Sequence, residues 1–192
     1  MEPFLISTGI VALAEIGDKT QLLAFVLAAR WRRPIPILLG ILVATLLNHA
    51  AAGALGTLVT QWLSPAVLRW ILGLGFLAMA IWVLIPDKLD DEAPVTSRFG
   101  VFGTTLVAFF LAEMGDKTQI ATVALAAQYQ AFTAVVLGTT LGMMIANAPA
   151  VLLGEGIAKR MPVRLVHGIV AALFAILGLA TLFSVDRLLG IW

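Results

Sequence analysis

One octapeptide occurs twice in this chain with a single difference, as Ala14-Glu15-Ile16-Gly17-Asp18-Lys19-Thr20-Gln21 and as Ala112-Glu113-Met114-Gly115-Asp116-Lys117-Thr118-Gln119. The two copies are offset by 98 residues (112 − 14). The same offset aligns other residues without a gap, such as Gly40 with Gly138. The chain is therefore a duplicated unit, and the octapeptide marks each half.

The composition is that of a chain dissolved in lipid. Of its 192 residues, 61% are hydrophobic and 12% are charged, and the mean hydropathy is +1.03. In soluble domains about a quarter of the residues are charged. No cysteine is present, which excludes disulfides, thiolate metal ligands and a cysteine nucleophile. A net charge of +1 gives no indication of a nucleic-acid partner.

The apolar runs predict transmembrane helices. In lipid, only helices and closed barrels can pair all of their backbone hydrogen-bonding groups. Six runs have the length of about 20 residues that a span needs. They are Phe4–Ala29, Ile35–Trp62, Ala66–Ile85, Val101–Ala127, Phe132–Ala158 and Val163–Phe183. The first run has no basic residue before it and no clear cleavage site, so we expect it to be retained rather than removed as a signal peptide.

Basic residues predict the orientation. With the N-terminus outside, eight of them fall on the cytoplasmic side and two, Arg69 and Arg187, fall outside. The eight are Arg30, Arg32, Arg33, Lys88, Arg98, Lys159, Arg160 and Arg164. Both termini are then expected on the side opposite the cytoplasm.

Each half contains three spans, an odd number, so the second half must be inverted relative to the first. We predict an all-α integral membrane protein of six transmembrane helices. Its parts are a first repeat at residues 1–85, an acidic cytoplasmic linker at 86–99, and a second, inverted repeat at 100–192. Inverted repeats with a site between them near the midplane recur among transporters.

The octapeptides place four carboxylates at membrane depth, where each ionised acid costs at least about 2.5–3.5 kcal/mol without a partner. If the first span is one continuous helix, Glu15, Asp18 and Lys19 share a face, and their counterparts 98 residues later share another. Four carboxylates and two ammonium groups sum to a formal charge of −2. One divalent cation or two protons would neutralise it. The glycine inside each copy is expected to loosen the helix and free carbonyl oxygens.

Oxygen donors without sulfur suit Ca²⁺, Mn²⁺ or Mg²⁺. An imidazole at His49, in the second span, would shift the preference toward Mn²⁺ or carry a proton. The predicted metal ligands are Glu15, Asp18, Glu113 and Asp116. The predicted supporting ligands or proton relays are Gln21, Gln119, Asn48, His49 and Asn147. The predicted ion-pair or gating residues are Lys19, Lys117, Thr20 and Thr118.

Structural interpretations stand beside these functional ones. The acid and lysine sets would also serve as salt-bridged clamps between helices, and the lysines would pair with the acids without any gating role. His49 alone also fits a hydrogen-bonded residue inside the bundle. His167, near a predicted cytoplasmic end, is interpreted as interfacial.

The hexads at residues 15–20 and 113–118 resemble the E-x-G-D-[KR]-[TS] signature of the Gdt-type cation/proton exchanger family. That family includes eukaryotic Golgi calcium/manganese transporters and bacterial manganese exporters of the MneA kind. The resemblance covers essentially the whole chain. It implies export of Mn²⁺ or Ca²⁺ in exchange for H⁺, with the four octapeptide acids as ligands. Within this family, the absence of a long N-terminal extension favours a bacterial inner-membrane member over a Golgi one.

We therefore expect a secondary transporter that exports Mn²⁺ for H⁺ by alternating access, with no resident cofactor. The alternatives are a Ca²⁺/H⁺ antiporter, a passive channel with an acidic filter, and, remotely, an intramembrane protease. The sequence lacks H-E-x-x-H and a Ser/His pairing, so we expect no enzyme. Its partners are a divalent cation and the bilayer. The sequence does not decide between Mn²⁺ and Ca²⁺ as the substrate or between H⁺ and Na⁺ as the coupling ion. It also leaves the oligomeric state open.

Overall fold

The computed structural model describes residues 1–85, 99–153 and 163–183. All regular elements among these residues are helices: α1 (Glu2–Ala14), α2 (Lys19–Trp31), α3 (Pro34–Trp62), α4 (Pro65–Trp82), α5 (Gly100–Glu113), α6 (Lys117–Tyr129), α7 (Phe132–Leu153) and α8 (Val163–Phe183). Four of them, α3, α4, α7 and α8, are long and apolar enough to cross a membrane. Large apolar side chains such as Ile81 and Ile176 are exposed on the outer surface. An all-helical membrane protein is the fold class that these features support.

Two of the predicted spans are not continuous helices. The segment Phe4–Ala29 contains α1 and α2, and Val101–Ala127 contains α5 and α6, with a non-helical turn at each octapeptide. Gly17 and Gly115 have φ of +83° and +77°, a region that glycine enters without steric strain. The prediction that glycine loosens each helix is confirmed. The prediction that the octapeptide residues share one face of a continuous helix is wrong.

The other helices lie close to their predicted bounds. Ser64 accepts a hydrogen bond from the Val67 amide, and Pro65 occupies the first turn of α4, so the short connection after α3 starts a new helix. Residues 86–98 of the predicted linker and 154–158 of the predicted fifth span lie outside the described residues.

Backbone conformations repeat at the 98-residue offset. Helices α2 and α6 both end on a left-handed residue, Arg32 with φ of 50° and Gln130 with φ of 47°. Glycine contacts repeat in the same way. Gly40 of α3 lies against Phe102 and Thr105 of α5, and Gly138 of α7 lies against Phe4 and Ser7 of α1. Close approach of these helices requires residues without a side chain, which explains the paired glycines.

The buried apolar side chains form two clusters. One joins α1, α4, α6 and α8 with α7, and the other joins α2, α3, α5 and α7. The rings of Phe76 in α4 and Phe174 in α8 stack with centroids 6.2 Å apart. The α4–α8 pair packs against α1 and α6. Within the described residues neither member packs extensively against α2 or α5.

Candidate metal site

The two octapeptide turns bring four helix ends together. Glu15 caps the C-terminus of α1, and Glu113 is the last residue of α5. Asp18 and Asp116 are the N-caps of α2 and α6. Helix C-termini carry partial negative charge that favours cations, while N-termini favour carboxylates. The broken helices therefore present both carboxylates and carbonyl ends at one point.

Three of the four predicted acids form one cluster. Glu15, Glu113 and Asp116 each offer an oxygen, and the three oxygens all lie within 4.8 Å of one another. All three side chains are buried. Two oxygens on opposite sides of a Ca²⁺ ion, each about 2.3–2.6 Å from it, would be separated by a similar distance. This acid triad, as we call it, draws on both copies of the octapeptide.

Threonines of the same turns hold the glutamates. Thr20 Oγ1 donates to Glu15 Oε2 at 2.5 Å, and Thr118 Oγ1 donates to Glu113 Oε2 at 3.1 Å. The other oxygen of each glutamate, Oε1, is buried and has no hydrogen-bond donor among the described residues. A buried carboxylate oxygen without a donor is costly unless a cation or proton satisfies it.

The lysines form ion pairs that cross between the two copies. Lys19 Nζ lies 2.9 Å from Asp116 Oδ1, and Lys117 Nζ lies 3.6 Å from Asp18 Oδ1. Each lysine ammonium thus lies within ion-pair distance of the aspartate of the other copy. The pairs differ in burial, because the Lys19 side chain is 25% exposed and that of Lys117 is 4% exposed. Asp18 is not part of the acid triad but is joined to the second copy by this pair.

The glutamines support the turns from inside their own copy. Gln21 Oε1 accepts from the Gly17 amide at 3.0 Å, and Gln119 Oε1 accepts from the Gly115 amide at 2.7 Å. Gln21 also donates to the Ala146 carbonyl of α7 at 3.0 Å. The side-chain amides of both glutamines therefore form hydrogen bonds with backbone groups.

Three polar residues of the central helices α3 and α7 are buried and do not belong to the triad. Asn48 donates to the Phe110 carbonyl at 3.0 Å, and Asn147 donates to the Met143 carbonyl at 3.1 Å. His49 is fully buried, and neither ring nitrogen has a hydrogen-bond partner in the described part of the chain. His49 does not belong to the acid triad.

His167 contacts the first turn, and the sequence pattern did not predict this contact. Its Nε2 lies 2.8 Å from the carbonyl oxygen of Ile16, inside the first turn, and the side chain is buried. The interfacial interpretation of His167 is therefore wrong. The contact joins residues 151 positions apart, so no local spacing could have indicated it.

The sequence of this chain matches a known protein family over most of its length. The model of the family described as "Divalent cation/proton antiporter GDT1" matches residues 3–91 and 101–187. This chain belongs to the GDT1 family. The resemblance that the hexads indicated is thus confirmed. GDT1 proteins are transporters, so the chain is a multi-pass membrane transporter and not an enzyme, and the intramembrane-protease alternative is excluded.

Relatives cover most of the chain. A Vibrio cholerae protein named "Putative manganese exporter" is 54% identical over 184 residues, which is 95% of this chain and 92% of that protein. A GDT1-like protein of Synechocystis is 28% identical and covers 87% of this chain and 91% of its own length. The rice GDT1-like protein 3 is 30% identical and covers 88% and 69% respectively. No solved structure matches the chain.

Proposed function

We propose that this protein exports Mn²⁺ from the cytoplasm in exchange for H⁺ by alternating access, with the acid triad as the shared site. Glu15, Glu113 and Asp116 would bind the cation, and Asp18 would join them when Lys117 leaves it. The observation that carries the proposal is the meeting of three buried carboxylates from two sequence copies.

The chemistry of the donors supports a hard or borderline divalent cation. Carboxylate, hydroxyl and carbonyl oxygens suit Mn²⁺, Ca²⁺ and Mg²⁺. The name of the 54% identical Vibrio cholerae protein supports manganese as the substrate. Ca²⁺ is the second candidate, because the family description specifies only a divalent cation.

Exchange with protons follows from competition for the same oxygens. A carboxylate must be ionised to bind a metal, so metal release and proton uptake accompany each other. Lys19, which pairs with Asp116 at 2.9 Å, would move off that oxygen when a divalent ion takes its place. Four carboxylates and two lysines sum to −2, so the cluster is neutral with either one divalent ion or two protons bound.

Six membrane crossings in two inverted repeats, with both termini outside, complete the proposal. The paired glycine contacts and the paired left-handed residues at the 98-residue offset support a first repeat at 1–85 and a second at 100–192, joined by a cytoplasmic linker at 86–99. The broken crossings would each consist of two short helices, α1 with α2 and α5 with α6. We assign the protein to the bacterial inner membrane.

Proteoliposomes containing a pH-sensitive dye test this function. We expect Mn²⁺ to be driven uphill by an imposed proton gradient, with a coupled change of internal pH. We expect Glu113→Gln to abolish both movements, while Glu2→Gln, an exposed acid at the start of α1, behaves as wild type.

The alternatives give different results in the same vesicles. Flux that only dissipates a metal gradient would identify a passive channel. Preference for Ca²⁺ over Mn²⁺ would establish the second candidate substrate. Wild-type exchange by Glu113→Gln would contradict the proposed site. Acidifying both sides of the vesicle should weaken Mn²⁺ binding, because protons then occupy the carboxylates.

A further inference from the structure

Both octapeptide turns bend at a glycine of positive φ, but the residues packed against the two turns differ. The start of α8 closes over the first turn, since a Cβ at Gly17 would lie 2.6 Å from Val163 Cγ1. His167, one turn further along α8, contacts the Ile16 carbonyl. At the second turn, a Cβ at Gly115 would meet no atom of the described residues within 4 Å, and Met114 is 57% exposed.

The imidazole acts as a hydrogen-bond donor in this contact. A main-chain carbonyl oxygen only accepts hydrogen bonds, so His167 Nε2 must carry the proton. Ile16 lies beside Glu15 in the first turn, and α1 ends there. A carbonyl near the end of a helix lacks an intrahelical donor and needs one from elsewhere. His167 thus fixes the backbone that carries a triad carboxylate.

The first half contains a matching position on α4. The 98-residue offset relates His167 to Arg69 and Val163 to Pro65, and it also relates the stacked rings of Phe174 and Phe76. The guanidinium of arginine, like the protonated imidazole nitrogen, only donates hydrogen bonds. Both equivalent positions therefore carry a group suited to a turn carbonyl.

We propose that His167 is a positioning residue that holds the first turn against α8 in this conformation, and that Arg69 holds the Met114 carbonyl of the second turn in the alternate conformation. This inference rests on the alternating access of the proposed function. Transport then requires the His167 contact to break while the Arg69 contact forms, so the two turns exchange environments.

Disulfide trapping tests the exchange without measuring transport. The natural chain has no cysteine, so an introduced pair is the only source of an intramolecular disulfide. A Cβ at Gly17 would lie 3.4 Å from Val163 Cβ, close to the separation of a disulfide, so Gly17→Cys with Val163→Cys reports the present conformation. The equivalent pair, Gly115→Cys with Pro65→Cys, reports the alternate one.

We expect His167→Ala to slow oxidation of the first pair and to accelerate oxidation of the second, so that the ratio of the first rate to the second falls by about 3- to 10-fold, as the loss of one hydrogen bond allows. Arg69→Ala should produce the reverse pattern. His167→Gln retains a donor and should restore part of the wild-type ratio. Leu165→Ala, at an exposed position on the same helix, should leave both rates unchanged.

The outcomes separate this inference from a merely structural role and from the proposed function. If His167→Ala changes both rates in the same direction, or changes neither, the histidine does not select a conformation and the proposal fails. If Arg69→Ala acts in the same direction as His167→Ala, the exchange fails. Failure of the protein to transport Mn²⁺ into proteoliposomes would contradict the proposed function. The disulfide rates would still report on the two turns.

Discussion

The first and second octapeptide turns have nearly the same sequence, yet they lie in different surroundings. Both bend at a glycine of positive φ, and both start a helix at an aspartate N-cap. The first turn is covered by Val163 and His167, while a Cβ at Gly115 in the second turn would meet no described residue within 4 Å. The two turns therefore share a glycine bend, and the start of α8 distinguishes them. The proposed inverted repeats would account for this asymmetry, because the alternate state of such a transporter is the one in which the two environments are exchanged.

The largest expected difference between the turns concerns the lysines. Lys117→Met removes the partner of a buried aspartate, which typically destabilises a protein by about 3–5 kcal/mol. Lys19→Met breaks a pair in which the lysine is 25% exposed and water can reach the ammonium, so it should cost less than Lys117→Met. Denaturant unfolding of the purified protein in detergent measures both. Equal losses would mean that the difference in burial has no energetic weight.

The aspartates should differ in metal affinity. Asp116 belongs to the acid triad and Asp18 does not. Asp18 would reach the ion only after Lys117 leaves it, so we expect Asp116→Asn to lower Mn²⁺ affinity by more than about 100-fold and Asp18→Asn to lower it by less. Equilibrium dialysis with Mn²⁺ measures the affinities. A larger loss for Asp18→Asn would reverse the assignment of the two turns.

The glycines offer a matched pair with an internal control. Gly115→Ala should cost about 1–2 kcal/mol for a left-handed alanine. Gly17→Ala should cost about 1–3 kcal/mol more, because its Cβ overlaps Val163. The same unfolding measurement applies.

Adding Val163→Ala should bring Gly17→Ala close to the value of Gly115→Ala. If the double variant remains as unstable as Gly17→Ala alone, contact with α8 is not what distinguishes the first glycine.

The threonines should show the smallest difference. Thr20 donates to Glu15 over 2.5 Å, and Thr118 donates to Glu113 over 3.1 Å. Valine at either position keeps the shape and removes the donor. We expect the Mn²⁺ concentration for half-maximal transport to rise about 10-fold for Thr20→Val, as a hydrogen bond to a charged group suggests, and less for Thr118→Val. The reverse order would show that the bond lengths do not govern the effect.

The sequence predicted the duplication, the membrane character and the acids, because repeats and buried charges are visible in a linear pattern. It also indicated that glycine would interrupt the helices. It did not indicate that the ion pairs cross between the copies, since the helical face argument placed Lys19 beside the acids of its own octapeptide, whereas Lys19 Nζ lies 2.9 Å from Asp116 Oδ1. Long-range packing decides that choice, and the two candidate partners are chemically identical.

The cover of the first turn was equally invisible. The His167 contact depends on where the start of α8 lies, and the sequence pattern of α8 describes only an apolar span. His49 is buried and lies outside the triad, so its role as a proton relay stays a prediction.

Calorimetric titration of the purified protein with Mn²⁺ tests the central claim most directly, namely that the two copies build one divalent-cation site. The account predicts one ion per chain, and a loss of affinity above about 100-fold in both Glu15→Gln and Glu113→Gln, since each removes a charged ligand. Two ions per chain, or wild-type affinity in either variant, would contradict it.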